Sequence, residues 1–228
     1  MLDYRQFEAL TFDCYGTLID WETGLVAAFS RALSRQYAAD DLLARFAAHE
    51  ARLEAGPYVR YRDVVAEALR GVAGELDERP TASAVAEFAA SVGQWPAFPD
   101  SPSALARLKT RFKLAVITNC DNDLFAASNA RLGVTFDWVV TAEQVGSYKP
   151  SEANFVTAFE RLAIPRERIL HVAQSLFHDH VPARRLGLRT VWINRRAGRQ
   201  GAGATPPAEV VPDATFPDLA SFADAALV

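Results

Sequence analysis

Hydrophobic and polar positions along this chain follow two rhythms. Phe7 to Phe12 is an apolar run with one polar interruption on each side of Leu10, the pattern of a strand buried on both faces. Asp13 stands at its end, and Gly16 bounds it. After this the strand rhythm disappears for about a hundred residues. Leu25, Phe29, Leu33 and Tyr37 recur at four-residue spacing, which predicts one helix face. Further helical patterns cover Asp41 to Glu54, Tyr61 to Val72 and Ser83 to Val92, punctuated by Gly56-Pro57 and Arg79-Pro80. Trp95 to Pro102, with three prolines, predicts a hinge returning to the strand rhythm.

From Ser103 strands and helices alternate. Helices are predicted over Ser103 to Arg111, from a cap at Asp121 or Asn122 to Gly133, and over Glu152 to Leu162, Asp179 to Leu186 and Asp218 to Leu227. Pro182 suits the first turn of the fourth of these. Strands are predicted at Lys113 to Thr118, Asp137 to Thr141, Ile169 to Ala173 and Thr190 to Ile193, and Arg195 to Pro212 reads as a loop. Such alternation makes an α/β fold with a mostly parallel sheet and right-handed crossovers. The helical block after the first strand reads as a cap over the C-terminal edge of that sheet. The division expected is a core of residues 1–18 and 99–228 and a cap of residues 19–98. Ligands of such sheets sit beyond the C-terminal strand ends. Asp13, Thr118 with Asn119, and the segment Gln174 to Asp179 occupy three of those ends.

Composition narrows the classes. Half of the 228 residues are hydrophobic, net charge is -4, and no block of like charge occurs, so neither disorder nor nucleic-acid binding is expected. There is no apolar stretch of membrane-spanning length, and MLDYRQFEAL lacks a basic lead and apolar run; a soluble cytoplasmic protein is expected. Cys14 and Cys120 read as free buried thiols beside candidate site residues, with oxidation sensitivity as the functional alternative. His49, His171, His178 and His180 have no zinc-ligand spacing. His178, near the start of its predicted helix, could face a pocket, whereas His49 lies in the cap.

Asp13 is the strongest candidate for chemistry. A carboxylate attacks carbon only when ionised and aimed, and Gly16 and Thr17 supply a tight turn and a hydroxyl beside it. The stretch LTFDCYGT around these residues resembles the first motif of the haloacid dehalogenase superfamily, in the DxYGTL form of the (S)-2-haloacid dehalogenases. Phosphatase branches carry a second aspartate where this chain has Tyr15. The resemblance implies a Rossmann-like core with an inserted cap, Asp13 as nucleophile, and hydrolysis of a short 2-haloalkanoic acid through an aspartyl ester to a 2-hydroxy acid. It also implies roles for Thr118 and Asn119 around the substrate carboxylate or leaving halide, and for Lys149 and Asp179 as an ion pair beside the nucleophile. Tyr15, Thr17, Gln174 and Ser175 join the substrate-binding set.

With Tyr15 and Gln174 both non-acidic, no metal and no other cofactor is expected. The family uses a cap arginine for the anionic substrate; Arg45, Arg52 and Arg60 are candidates here, with Arg45 best placed by order. Tyr15, Trp21, Tyr61 and Trp95 could form an apolar wall. Four positions depart from the family pattern. Cys120 replaces a glycine, Phe155 a tyrosine, Gln174 a serine and Leu176 an asparagine. The last two leave the hydrolytic water to Gln174, Ser175 or His178, or point to another electrophilic carbon, as in a strained cyclic amino acid. A phosphatase and a catalytically silent binding protein are the other readings. The partners expected are a small anion and, through helices, a second copy of the chain, with no nucleic acid or membrane.

Overall fold

A computed structural model describes residues 2–198, 205 and 207–228. The first strand, β1 (Ala9–Phe12), is shorter than its apolar run because Tyr4–Gln6 forms a 3₁₀ turn capped by the Asp3 side chain. All four of its residues are buried. Leu10 and Phe12 face one hydrophobic cluster and Ala9 the other. Burial on both faces is why the run shows no simple alternation.

Four helices follow: α1 (Trp21–Ala32), α2 (Ala39–Glu54), α3 (Tyr61–Glu75) and α4 (Ala82–Ala90). Leu25, Phe29, Phe46, Val64, Leu69 and Phe88 form their shared interior, continuous with one face of the sheet. The predicted first helix face extended to Tyr37, but α1 ends at Ala32. Glu78 explains the early stop, because its carboxylate accepts hydrogen bonds from Ser34 N and Oγ, Arg35 N and Nε, and Tyr37 Oη, which hold that segment in a loop. These bonds, with the Ser34 hydroxyl foremost, hold the Glu78 carboxyl down to about 2. At Gly24 an added Cβ would lie 2.3 Å from the Trp95 ring, so α1 can approach that indole only through glycine.

The chain returns beside its outward crossing, where Ile19 and Ala97 form an antiparallel bridge. Helix α5 (Ser101–Lys109) takes Pro102 into its first turn, so the hinge is shorter than the three prolines predicted. Then come β2 (Lys113–Thr118), α6 (Asn122–Leu132), β3 (Trp138–Thr141), α7 (Ala142–Val145), α8 (Ala153–Leu162), β4 (Ile169–Ala173), a π turn over Leu176–His180, α9 (Val181–Arg185), β5 (Arg189–Ile193), β6 (Ala214–Phe216) and α10 (Leu219–Ala226). Every strand pairing is parallel, in the order β3-β2-β1-β4-β5-β6. That order reverses beside β1, which puts Asp13 at the crevice where α/β sheets bind ligands.

Three local expectations change. Asp121 stands at the N-terminus of α6 but does not cap it with its side chain; its carboxylate accepts from Tyr61 N at 2.9 Å and Arg62 N at 3.1 Å, capping α3 from across the strand ends. The helix predicted from Asp179 is a π turn followed by α9, and Ser175 is its cap. Strand β6 lies just beyond the predicted loop of Arg195 to Pro212, of which residues 199–204 and 206 lie outside the described residues. Among the described residues, no helix is long and apolar enough to cross a membrane.

Candidate active site at the strand ends

Asp13 leaves β1 with its N–H donating to Val172 O at 3.2 Å, which fixes the carboxylate beyond the strand end. The Thr17 hydroxyl donates to Asp13 Oδ2 at 2.6 Å and accepts Gln174 N at 2.9 Å, so its single hydrogen is committed to the carboxylate. Lys149 Nζ donates to Asp13 Oδ1 at 2.9 Å. Gly16 makes the turn between these partners at φ +92°, and an added Cβ would lie 3.1 Å from Trp21 Nε1 and 3.2 Å from Gln174 Oε1.

Lys149 is buried, and all three of its N–H bonds are used: Asp13 Oδ1, Asp179 Oδ1 at 2.7 Å and Ile117 O at 2.9 Å. Asn119 holds its backbone from both sides, accepting Lys149 N at 2.7 Å and donating to Lys149 O at 3.0 Å. Burial disfavours the ammonium, but Asp13 and Asp179 outweigh it and raise its pKa well above the ordinary lysine range. Burial also pushes the Asp13 carboxyl up, against the pull of Lys149, and the Asp179 charge adds to the rise. Asp179 moves the other way: burial is outweighed by Lys149 and then by His171, and its carboxyl is held below the usual range.

His171 is a member of this network that the sequence did not single out. Its Nε2 is 3.2 Å from Asp179 Oδ1 and its Nδ1 2.9 Å from Thr11 Oγ1. Phe155 packs edge-on against its ring at 5.0 Å. One signal was available, since Thr11 and His171 are polar interruptions of apolar runs and face each other in register on β1 and β4.

A cavity of about 60 Å³ opens above these groups, lined by Asp13, Asn119, Lys149 and Asp179 on the core side. The π turn contributes its wall. Ser175 Oγ accepts His178 N at 2.9 Å, and the wider turn turns Asp179 inward while leaving His178 on the cavity surface. Burial lowers the His178 pKa to about 4, so this imidazole is neutral. Gln174 and Thr205 complete that side.

Most of the predicted set is thus brought together: Asp13, Tyr15, Asn119, Lys149, Gln174, Ser175 and Asp179 line the cavity, with Trp21 and Tyr61. Thr17 reaches it through Asp13. Thr118 does not line it; its hydroxyl is buried without a hydrogen-bond partner among the described residues. Trp95 lies behind Tyr15, edge-on at 5.8 Å, so it supports the wall without forming it. Cys14 and Cys120 are free and buried, with burial raising both thiols, which keeps them protonated and unreactive.

The cap arginines depart most from expectation. Arg45 is turned away from the cavity into ion pairs with Asp41 at 2.9 Å and Glu75 at 2.7 Å. Arg52 meets His49, and Arg60 pairs with Glu143. In their place α2 presents Glu50 and Glu54 to the cavity. Tyr61 Oη donates to Glu50 at 2.7 Å, and Asn119 Nδ2 donates to Glu54 at 3.2 Å. Burial raises Glu50 to about 7 and Glu54 well above its ordinary value, with the Glu50 charge adding to the second rise. The signal for these residues was the apolar stripe Leu43 and Phe46, which continues at helical spacing into Glu50 and Glu54.

Comparison with known proteins gives a consistent picture. The sequence profile of haloacid dehalogenase-like hydrolases matches residues 7–176. The (S)-2-haloacid dehalogenase H-109 of Pseudomonas putida is 29% identical over 90% of this chain and 94% of its own. An (S)-2-haloacid dehalogenase of Pseudomonas sp. strain YL is 29% identical over 92% of this chain and 91% of its own. The structure of the L-2-haloacid dehalogenase from Xanthobacter autotrophicus superposes with a TM-score of 0.81 at 23% identity, covering 96% of this chain and 97% of that one.

Proposed function

The chain belongs to the haloacid dehalogenase-like hydrolases, and on that premise we propose that it dehalogenates short 2-haloalkanoic acids hydrolytically through an ester on Asp13. The observation that carries this reading is the Asp13 carboxylate itself. Each of its oxygens accepts one strong donor, Thr17 at 2.6 Å and Lys149 at 2.9 Å, at the floor of a small cavity. Its neighbour Tyr15 is no acid for an oxygen leaving group: its hydroxyl is engaged with Ser128 at 2.9 Å. A departing halide needs no proton. Dehalogenase relatives that align over nine-tenths of the chain support the same chemistry.

In the first step an Asp13 oxygen attacks C2 opposite the halogen, the carbon–halogen electron pair leaves as halide, and an ester forms. Alignment within the cavity supplies the advantage of a bound, oriented pair. In the second step water adds to the ester carbonyl of Asp13. Lys149 Nζ stands beside that carboxyl and stabilises the developing oxyanion. His178, in the tautomer whose Nδ1–H donates to Ser175 Oγ, has Nε2 open to take the proton of that water. The carbonyl then re-forms as the bond to the substrate oxygen breaks, that oxygen takes the proton of the new Asp13 carboxyl, His178 releases its proton to solvent, and a 2-hydroxy acid of inverted configuration leaves.

The test is halide release from chloroacetate and both enantiomers of 2-chloropropionate with chelator present, followed by a single turnover in ¹⁸O-water. The expected result is release that the Asp13→Asn variant lacks by a factor on the order of 10³ or more, with the first label found in Asp13 and none in product. Label passing directly into product would overturn the ester. Magnesium-dependent phosphate release would favour a phosphatase instead.

A further inference from the structure

Among the described residues, the charges that line the cavity do not match a plain anion. A haloalkanoate would bring a carboxylate next to Asp13 and Asp179, and Lys149 is the cationic side chain among the described lining residues. Its three N–H bonds are already spent on Asp13, Asp179 and Ile117. Both amide hydrogens of Asn119 are likewise engaged, with Glu54 and Lys149 O. An incoming carboxylate therefore finds no unengaged hydrogen on either side chain.

A positive group meets the opposite situation. Glu50 and Glu54 lie one helical turn apart on the cap side of the same cavity. Each already accepts a neutral donor, Tyr61 Oη and Asn119 Nδ2, and such donors favour the ionised carboxylate. Asp179 Oδ2, on a fully buried side chain that lines the cavity, has no hydrogen-bond partner among the described residues. Three acceptors with spare capacity thus line one small cavity.

We propose that the substrate of this site is a small zwitterion: an electrophilic carbon attacked by Asp13, in a molecule that also carries an ammonium group seated against Glu50 and Glu54. This rests on the reading of Asp13 as nucleophile and names the substrate class within it. The ammonium supplies the positive charge that a cap arginine would otherwise bring. It also lowers the cost of two neighbouring glutamates at one cavity, because a partly desolvated carboxylate is better tolerated when paired.

Isosteric ligands separate the charge from the shape, since an ammonium and a methyl group differ little in size. Calorimetric binding of β-alanine and of butanoate to the wild-type protein is the first measurement. β-Alanine is expected to bind at least about tenfold more tightly, because an ammonium between Glu50 and Glu54 favours their ionised form and pairs with it, which a methyl group cannot do. That preference should fall to near unity in Glu50→Gln and Glu54→Gln, with matching circular dichroism to show that both variants fold. Equal or tighter binding of butanoate to wild type would overturn the proposal, as would no binding of β-alanine, or a preference unchanged in both variants. Halide release from 3-amino-2-chloropropanoate, against 2-chlorobutanoate, then tests the underlying chemistry separately. β-Alanine preference without an Asp13 adduct from either compound would sink the nucleophile and keep the acidic subsite. Fast turnover of 2-chlorobutanoate with no ammonium preference would do the reverse.

Discussion

The floor and the roof of the cavity are built by different rules. On the floor, Asp13, Lys149, Asn119 and Asp179 sit at or beside the ends of parallel strands and form one network, in which every Lys149 hydrogen has an acceptor. On the roof, Glu50, Glu54 and Tyr61 come from the sides and ends of α2 and α3 and leave acceptor capacity open. The floor is constrained by the sheet and by its own charge balance, so its residues can hardly change singly. The roof can exchange one polar side chain for another without disturbing a strand. Chemistry in this fold therefore belongs to the sheet, and the choice of substrate to the helices above it.

The largest expected effect lies on the floor. Lys149→Met leaves the buried Asp13 and Asp179 facing each other without their shared ammonium. Breaking a buried pair this way costs about 3–5 kcal/mol, to be read from chemical denaturation, and halide release should vanish with it. Adding Asp179→Asn should restore part of the stability and none of the activity. If Lys149→Met lost less than about 1 kcal/mol, the floor would be as tolerant as the roof, and the contrast between them would fail.

The same contrast decides what was legible in the sequence. Asp13, Asn119 and Asp179 could be anticipated because strand ends are marked by a change from apolar run to turn, and a parallel sheet brings such ends together; Lys149, in a loop beyond β3 and α7, follows from the family resemblance instead. The strands Lys113–Thr118 and Ile169–Ala173 carry that change in plain view. Elements set by distant side chains were not legible. The end of α1 depends on Glu78, more than forty residues away along the chain, and the capping of α3 depends on Asp121 from beyond β2. Strand β6 is three residues of an edge, too short to show a period. Glu50 and Glu54 read as the polar end of a helix face, since only the packing of α2 over the strand ends turns them toward Asp13.

An intermediate effect is expected on the roof, with a sign opposite to that of the floor. Glu50 is raised from the ordinary 4.5 to about 7 by burial, so between those values the folded protein holds a proton that the unfolded chain has released. Stability must then fall as pH rises through this window. Asp179 is depressed, so its contribution is present above the unfolded value and lost as pH falls toward the folded one. Glu50→Gln should match wild type near pH 5 and exceed its stability by about 1–2 kcal/mol near pH 8, with thermal melts at the two pH values as the measurement. A variant less stable than wild type at the higher pH would mean that Glu50 is ionised and well paired in the free protein.

The smallest effect belongs to Arg45, the residue that sequence order nominated to hold the substrate. Its guanidinium spans Asp41 and Glu75 with a third of the side chain exposed to solvent, and Glu75 also meets His49. Exposed pairs of this kind contribute about 0–1 kcal/mol, so Arg45→Ala should lower stability by no more than that. It should leave kcat and KM for the best haloacid within about twofold, because neither Arg45 nor its partners Asp41 and Glu75 are among the described residues that line the cavity. The result bears directly on the roof. A rise in KM of tenfold or more, with kcat retained, would mean that α2 rotates on substrate binding to bring Arg45 inward and carry Glu50 and Glu54 out. The acidic roof would then describe only the empty enzyme, whereas an unaffected KM leaves the two glutamates as the groups that meet the substrate.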